Sequence, residues 1–308
     1  MSINDELDHL STEMSNLETG SLNELTTKGI LEKINDEDVK VPLAVKKQIP
    51  NIAKAVDIIV LAFQNRGRLF YLGAGTSGRL AVIDAAELFP TFGVGKESVR
   101  AIIAGGKKAM FRTVEGAEDD PQQGRKDLER ASFSKSDVLI GISASGRTPF
   151  VVGALRYAHG LGAKTVALTS NPGSPVTKVA QVAICPETGP EVVTGSTRMK
   201  AGTAQKLVLN MISTATMVKL GKVHQNLMVS LKPFSQKLGE RQKRIVMQAT
   251  GLSRDASEKI LVKAKGSVKI AIVMVKSDLD YHRAEKLLKN ANDSIDVAVS
   301  IARKETTS

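Results

Sequence analysis

Three polar loops and two acidic positions in this 308-residue chain carry groups that could do chemistry. The first loop, Gly73-Ala74-Gly75-Thr76-Ser77-Gly78, follows an apolar run at 69–72 and precedes apolar residues at helical spacing, Leu80, Val82, Ile83 and Ala86. Strand, glycine loop and helix together present backbone N–H groups and a helix N-terminus to an anion. Gly75 sits at the bend, and Thr76 and Ser77 add hydroxyls that suit a sugar or a phosphate. The loop also reads G-x-G-x-x-G, but the dinucleotide fingerprint needs an acidic residue about 20 positions on. The next strand-like run, 99–104, ends in Ala104-Gly105-Gly106 without one. The same glycines would also serve a tight turn with no ligand.

The second loop, Ser143-Ala144-Ser145-Gly146-Arg147-Thr148-Pro149, has the composition of a phosphate cup ahead of a helix that starts near Pro149. Arg147 could add charge-assisted hydrogen bonds. An N-capping turn with surplus serines has the same composition. The third stretch, 189–200, brings Glu191, Ser196, Arg198 and Lys200 to the start of a long helix, another site that favours anions.

Carboxylates that could move protons accompany these loops. Glu87 lies near the end of the helix that leaves the first loop, and Pro90 predicts that the helix stops there. Leu88 and Phe89 predict a desolvated carboxyl with a raised pKa. Glu118 belongs to an acidic cluster at 114–120, which either borders the cleft or forms a solvated face. The four histidines, His9, His159, His224 and His282, show no metal-ligand spacing and read as surface or packing residues.

Composition narrows the function classes. Hydrophobic residues make up 42% and aromatics 4% with no Trp, so aliphatic packing must build the core. No apolar run is long enough for a membrane span, and the acidic start lacks a secretory core. The single cysteine, Cys185, excludes an internal disulfide and fits a reducing cytoplasm. The formal charge of +11 is uneven: residues 1–59 carry 6 Lys/Arg against 11 Asp/Glu, whereas 60–230 carry 21 against 12. A basic centre suits an anionic small molecule. Nucleic acid is disfavoured by the lack of a like-charge block or of basic–aromatic interleaving.

The elements that must position these groups alternate. Strand-like runs at 69–72, 99–104, 138–142, 165–169 and 182–185 are separated by helical patterns, which predicts a parallel five-stranded sheet flanked by helices. Ligands in such sheets bind outside the carboxyl ends of the strands, where both hydroxyl-rich loops fall. The pattern divides into an N-terminal helical segment at 1–58, a sheet domain at 59–222 and a small helical domain at 240–303.

The stretches GAGTSGR, AELFPTFG, VEGAED, SASGRTP and GPEVVTGSTRMKAGTAQK, in this order, resemble the N-acetylmuramic acid 6-phosphate etherases, from about Asp36 to about Val273. The resemblance implies an α/β sugar-isomerase (SIS) fold with a UBA-like helical end, and a cytoplasmic carbon–oxygen lyase that uses neither metal nor cofactor, forms a homodimer and binds neither nucleic acid nor membrane. It implies cleavage of the D-lactyl ether of N-acetylmuramic acid 6-phosphate to N-acetylglucosamine 6-phosphate and D-lactate. Glu87 would protonate the leaving oxygen and Glu118 would be a second acid/base. Ser143, Ser145 and Thr148, in one loop with Gly146 and Arg147, match phosphate-binding positions, and Thr76 and Ser77, beside Gly75, match a sugar-contacting loop. Glu191, with Ser196, Arg198 and Lys200 after it, is a further candidate for substrate contact or for the base. Three departures stand out: Ala86, Leu88 and Phe89 flank or follow Glu87 where the family usually has Ser, Cys and Pro; Thr12-Glu13-Met14-Ser15-Asn16 replaces a Thr-Glu-Arg-Arg-Asn-like start; and Ser230 replaces a usual Asp. The other function classes are a non-catalytic sugar-phosphate sensor with the same fold, as in the related glucokinase regulatory protein, and a DNA-binding regulator, which the acidic first 59 residues disfavour.

Overall fold

A computed structural model describes residues 10–231 and 236–306, so that His9 lies outside the described residues. They fall into two compact units, one comprising Met1–Ala86 and Lys96–Ser213, the other Glu87–Gly95 and Thr214–Ser308.

In the first unit, apolar runs flanked by loop residues form five short parallel strands: β1 (Leu69–Gly73), β2 (Val99–Ile103), β3 (Val138–Ile142), β4 (Lys164–Leu168) and β5 (Val182–Ile184). Their order is β2-β1-β3-β4-β5. β1 and β3 are buried along their whole length, which explains their unbroken hydrophobicity. Gly73 is in register with Ile103 on one side and Ile142 on the other, so the loops that leave β1, β2 and β3 emerge side by side.

Among the described residues, three helices precede the sheet, α1 (Thr27–Asp38), α2 (Lys40–Lys46) and α3 (Ile49–Gln64); α3 buries the stripe Ile52, Ala55, Val56 and Ile59. Residues 10–25 depart from the helical expectation and form turns and two short 3-10 helices. Their polar side chains engage distant backbone and side chains instead of a helix, as Thr19 does in donating to the Val192 carbonyl at 2.9 Å.

The crossover helices are α4 (Gly75–Phe92), α5 (Pro121–Arg130), α6 (Pro149–Gly160) and the short α7 (Pro175–Val179); α8 (Lys200–Lys219) follows β5. α5 and α6 meet at backbone contact. A Cβ on Gly153 would stand 2.1 Å from the Pro121 carbonyl oxygen, and one on Gly124 would stand 2.2 Å from that of Phe150. Only glycine permits this approach, and it fixes the residues just before α5 against the start of α6. Phe70, Leu72, Leu139, Phe150, Val151 and Leu155 fill the core here.

Pro90 does not stop α4, which continues to Phe92. So near the end, its missing N–H forfeits a single helical bond. The boundary between the two compact units falls within α4 and α8 rather than between elements. A helix has one periodicity along its length but can pack different neighbours at its two ends.

The second unit holds the hairpin β6 (Val223–His224) and β7 (Leu227–Met228) and five helices: α9 (Gln236–Thr250), α10 (Arg254–Lys263), α11 (Val268–Ser277), α12 (Tyr281–Asn290) and α13 (Ile295–Thr306). α11 is its apolar centre, with residues 268–274 all buried. No helix among the described residues is long and apolar enough to cross a membrane.

Candidate active site

The first loop is almost all helix. β1 ends at Gly73 and α4 begins at Gly75, so Gly75, Thr76 and Ser77 make its first turn. Gly75 lines a cavity of about 130 Å³ together with Arg79, Ala104, Ala109 and residues 113–118. Arg79 shapes the wall by donating from Nε to the Ala109 carbonyl at 3.0 Å. The acidic cluster therefore borders the cleft, and Glu118 stands exposed at its rim. Thr76 adjoins the third stretch: a Cβ on Gly202, in the first turn of α8, would lie 3.4 Å from the Thr76 methyl.

The second loop is cross-linked by its own hydroxyls. Ser143 Oγ is 2.8 Å from Thr148 Oγ1 and 3.4 Å from Ser145 Oγ. It also accepts the Gly146 N–H at 3.0 Å, and Ser145 Oγ accepts the Arg147 N–H at 3.3 Å. Gly146 has φ +72°, and a Cβ on it would fall 2.1 Å from Ser174 Oγ, so no other residue fits this turn. The Phe150 N–H, in the first turn of α6, donates to the Glu118 carbonyl at 3.0 Å. Glu118 is thus tied by its backbone to the helix that leaves the second loop, and lines the cavity of the first.

The third stretch is used differently. Glu191 is fully buried, and its two carboxylate oxygens accept the Lys200 and Ala201 N–H groups at 2.9 Å each, capping α8. Burial raises its pKa, and the two N–H bonds and the Lys200 charge only partly offset that. Lys200, 1% exposed, directs its ammonium to Glu37 Oε2 at 2.5 Å. Burial acts to raise the Glu37 pKa, but hydrogen bonds from Lys200 and then Lys40 outweigh it and leave that carboxyl below its ordinary value. Ser196 is half-buried and Arg198 is exposed, in the turn before α8.

Glu87 is exposed, so the desolvation expected from Leu88 and Phe89 is not there. Neighbours in a helix point about 100° apart, and it is Leu88 that turns inward, at 3% exposure. Among the other side chains, Cys185 is half-buried and its thiol is pushed up to about 11, first by burial and then by Glu187, which disfavours a nucleophile. His224 is buried between Asp296 and Lys276, and His159 and His282 are exposed.

Asn171 lies outside the motifs read from the sequence. It is 3% exposed, and its Nδ2 donates to the Ala144 carbonyl and to Thr12 Oγ1, both at 3.0 Å, while its Oδ1 accepts from Ser11 Oγ at 3.0 Å. One side chain thus joins the N-terminal segment to the second loop. Its signal was legible: Thr169-Ser170-Asn171 is a polar run at the carboxyl end of β4, the position that marks the other loops.

Residues 51–159 match the family model of the glucokinase regulatory protein N-terminal SIS domain, and residues 121–215 match the SIS domain model. An N-acetylmuramic acid 6-phosphate etherase of Clostridium botulinum is 56% identical over 266 residues, 86% of this chain and 88% of that protein. An N-acetylmuramic acid 6-phosphate etherase 2 of Vibrio cholerae is 54% identical over 266 residues, 86% of this chain and 87% of that protein. Among solved structures, phosphoheptose isomerase from Neisseria gonorrhoeae aligns with a TM-score of 0.47 and 18% identity, covering 62% of this chain and 98% of that one.

Proposed function

The chain belongs to the N-acetylmuramic acid 6-phosphate etherase family, and from that premise we infer that it cleaves the D-lactyl ether of N-acetylmuramic acid 6-phosphate, releasing D-lactate and N-acetylglucosamine 6-phosphate. The observation that carries the placement of the site is the position of Glu118, lining one cavity with Gly75 and bonded through its carbonyl to Phe150 beside the hydroxyls of the second loop.

The chemistry follows from the substrate. In the open-chain sugar the ether oxygen is beta to an aldehyde, so removal of the C2 proton lets the C3–O bond break. The C–H electrons become the C2=C3 double bond, and an acid protonates the departing lactate oxygen. Water then adds at C3 and a proton returns to C2, for a net hydrolysis. Ser143, Ser145 and Thr148 hold the phosphate, with the α6 N-terminus and Arg147 beside them. Thr76 and Ser77 contact the sugar. Glu118 exchanges a proton with the substrate and Glu87 protonates the lactate oxygen. Glu191 and Lys200, both buried and fully engaged, act as positioning residues that hold the start of α8 near Thr76; Ser196 and Arg198 lie at the approach to it.

Glu87 follows Gly75 by twelve positions along α4, an axial rise of about 18 Å. That exceeds the length of a hexosamine phosphate. We propose that a substrate held at the loops of one copy meets Glu87 from a second copy, in a homodimer with shared sites. Incubation with N-acetylmuramic acid 6-phosphate and assay of D-lactate tests the activity, with the unphosphorylated sugar as control. Absence of lactate with a folded protein would instead leave a sugar-phosphate sensor.

A further inference from the structure

The helical unit contains a cavity of about 770 Å³ that the reaction above does not use. Five lysines line it, Lys222, Lys265, Lys269, Lys286 and Lys289, against two carboxylates, Glu285 and Asp293. Two of the ammonium groups share one counter-ion: Lys222 Nζ and Lys269 Nζ each lie 3.1 Å from the same Asp293 Oδ2. The Lys269 side chain is 7% exposed, and its Nζ also donates to the Asp293 carbonyl at 3.0 Å. Burial, and then the charge of Lys222, hold Lys269 below the ordinary lysine pKa. Asp293 is held below the usual carboxylate value, because the two lysines outweigh the burial that would raise it. Two cations over one carboxylate leave this wall short of negative charge, and a buried excess charge is costly.

Hydrogen-bond donors converge on the same wall. α11 begins there, and Ser267 caps it by accepting the Ile270 N–H at 3.3 Å. The N–H groups of residues 268 and 269, in its first turn, have no partner within the helix. Ser230 also lines the cavity, and its hydroxyl oxygen is buried beside it with no hydrogen-bond partner among the described residues. An orphaned buried hydroxyl calls for a ligand or water. Ser230 brings no charge to the wall, so Asp293 and Glu285 are the carboxylates that face the five lysines there.

We propose that this cavity is a second anion site, which takes the phosphate group of a small phosphomonoester between Lys222, Lys269, the Ser230 hydroxyl and the N-terminus of α11. Asp293 neutralises one lysine, and a dianion answers the remaining lysines and the helix pole together.

Calorimetric titration of the full chain with inorganic phosphate tests the site. The catalytic phosphate cup supplies one binding event, and the proposal requires another that answers to different residues. Ser145→Ala should weaken only the first. Ser230→Asp, which sets a carboxylate beside the lysines, should weaken the second by about tenfold or more and leave D-lactate release unaltered. The pair Lys265→Gln and Lys289→Gln changes only exposed groups and should weaken the second event about threefold. An event lost to Ser230→Asp supports the site whether or not the cup's own event is seen. Binding that answers to Ser145→Ala alone, and that neither Ser230→Asp nor the lysine pair moves, overturns it.

Discussion

The start of α8 and the rim of the Glu118 cavity lie in the same unit and use the same residue types in opposite ways. At the start of α8, Glu191, Lys200 and Glu37 are buried and every charged atom has a partner close by. At the rim, Glu118 is exposed, and the second loop's hydroxyls are half-buried or buried at the surface end of a strand, bonded mainly to one another. Burial with full pairing makes a carboxylate structural, because moving a proton would break the pairing. Exposure with local hydroxyl bonds leaves groups that can exchange partners for a substrate. Acidic residues in polar loops therefore cannot be ranked as catalysts by type alone.

The largest effect should come from the rim. Glu118→Gln keeps shape but cannot cycle a proton, and should lower kcat by roughly 10²-fold or more, as should Glu87→Gln, with both variants folded by circular dichroism. Mixing the two inactive variants under conditions of subunit exchange should restore roughly a quarter of the sites if each site draws on two copies. No recovery in a verified heterodimer would mean that the two carboxylates act from one chain.

The next effect belongs to the buried region. Lys200→Met leaves Glu37 in the interior without its main partner and should cost about 3–5 kcal/mol of stability, read by urea unfolding. If the loss is instead confined to kcat with unfolding unchanged, Lys200 is a substrate-facing group rather than a buried structural partner of Glu37.

Ser145→Ala tests the second loop between these extremes. It removes one hydroxyl of the phosphate cup and should raise KM about tenfold with little change in the unfolding midpoint. Equal turnover of the substrate and its unphosphorylated counterpart would withdraw the cup assignment.

The smallest effect is a pH dependence. The folded-state pKa of Glu37 lies below its ordinary value. Its stabilising contribution is therefore fully present above the unfolded pKa, about 4.3, and is lost as pH falls through the lowered folded value. Glu191 has the opposite sign: its raised pKa gives a contribution present below the unfolded value and lost as pH rises through the folded one. Stability of the parent should thus fall more steeply in acid than that of Glu37→Gln, measured by thermal unfolding across pH 3 to 6. Identical slopes would show that Glu37 is not coupled to folding.

The five strands were legible because a strand buried on both faces must be an unbroken apolar run, as 138–142 is, and the loops were legible because glycine and serine at a strand end have few other uses. The placement of Glu118 beside a cleft followed from its position after a strand. Helix periodicity, by contrast, does not report which neighbour each turn meets, and the boundary between the two compact units falls within α4 and α8. Proline's effect depends on how many turns remain, which is why α4 runs through Pro90. Whether Leu88 shields Glu87 depended on the angle between adjacent helical residues and on which face was covered. The pairing of Lys200 with Glu37, 163 positions apart, and the meeting of Asn171 with Thr12 have no local signature at all. Residue types and strand pattern determined the sheet and its polar loops; the long-range packing of the chain alone decided which polar groups were buried in pairs and which were left at the surface to meet a substrate.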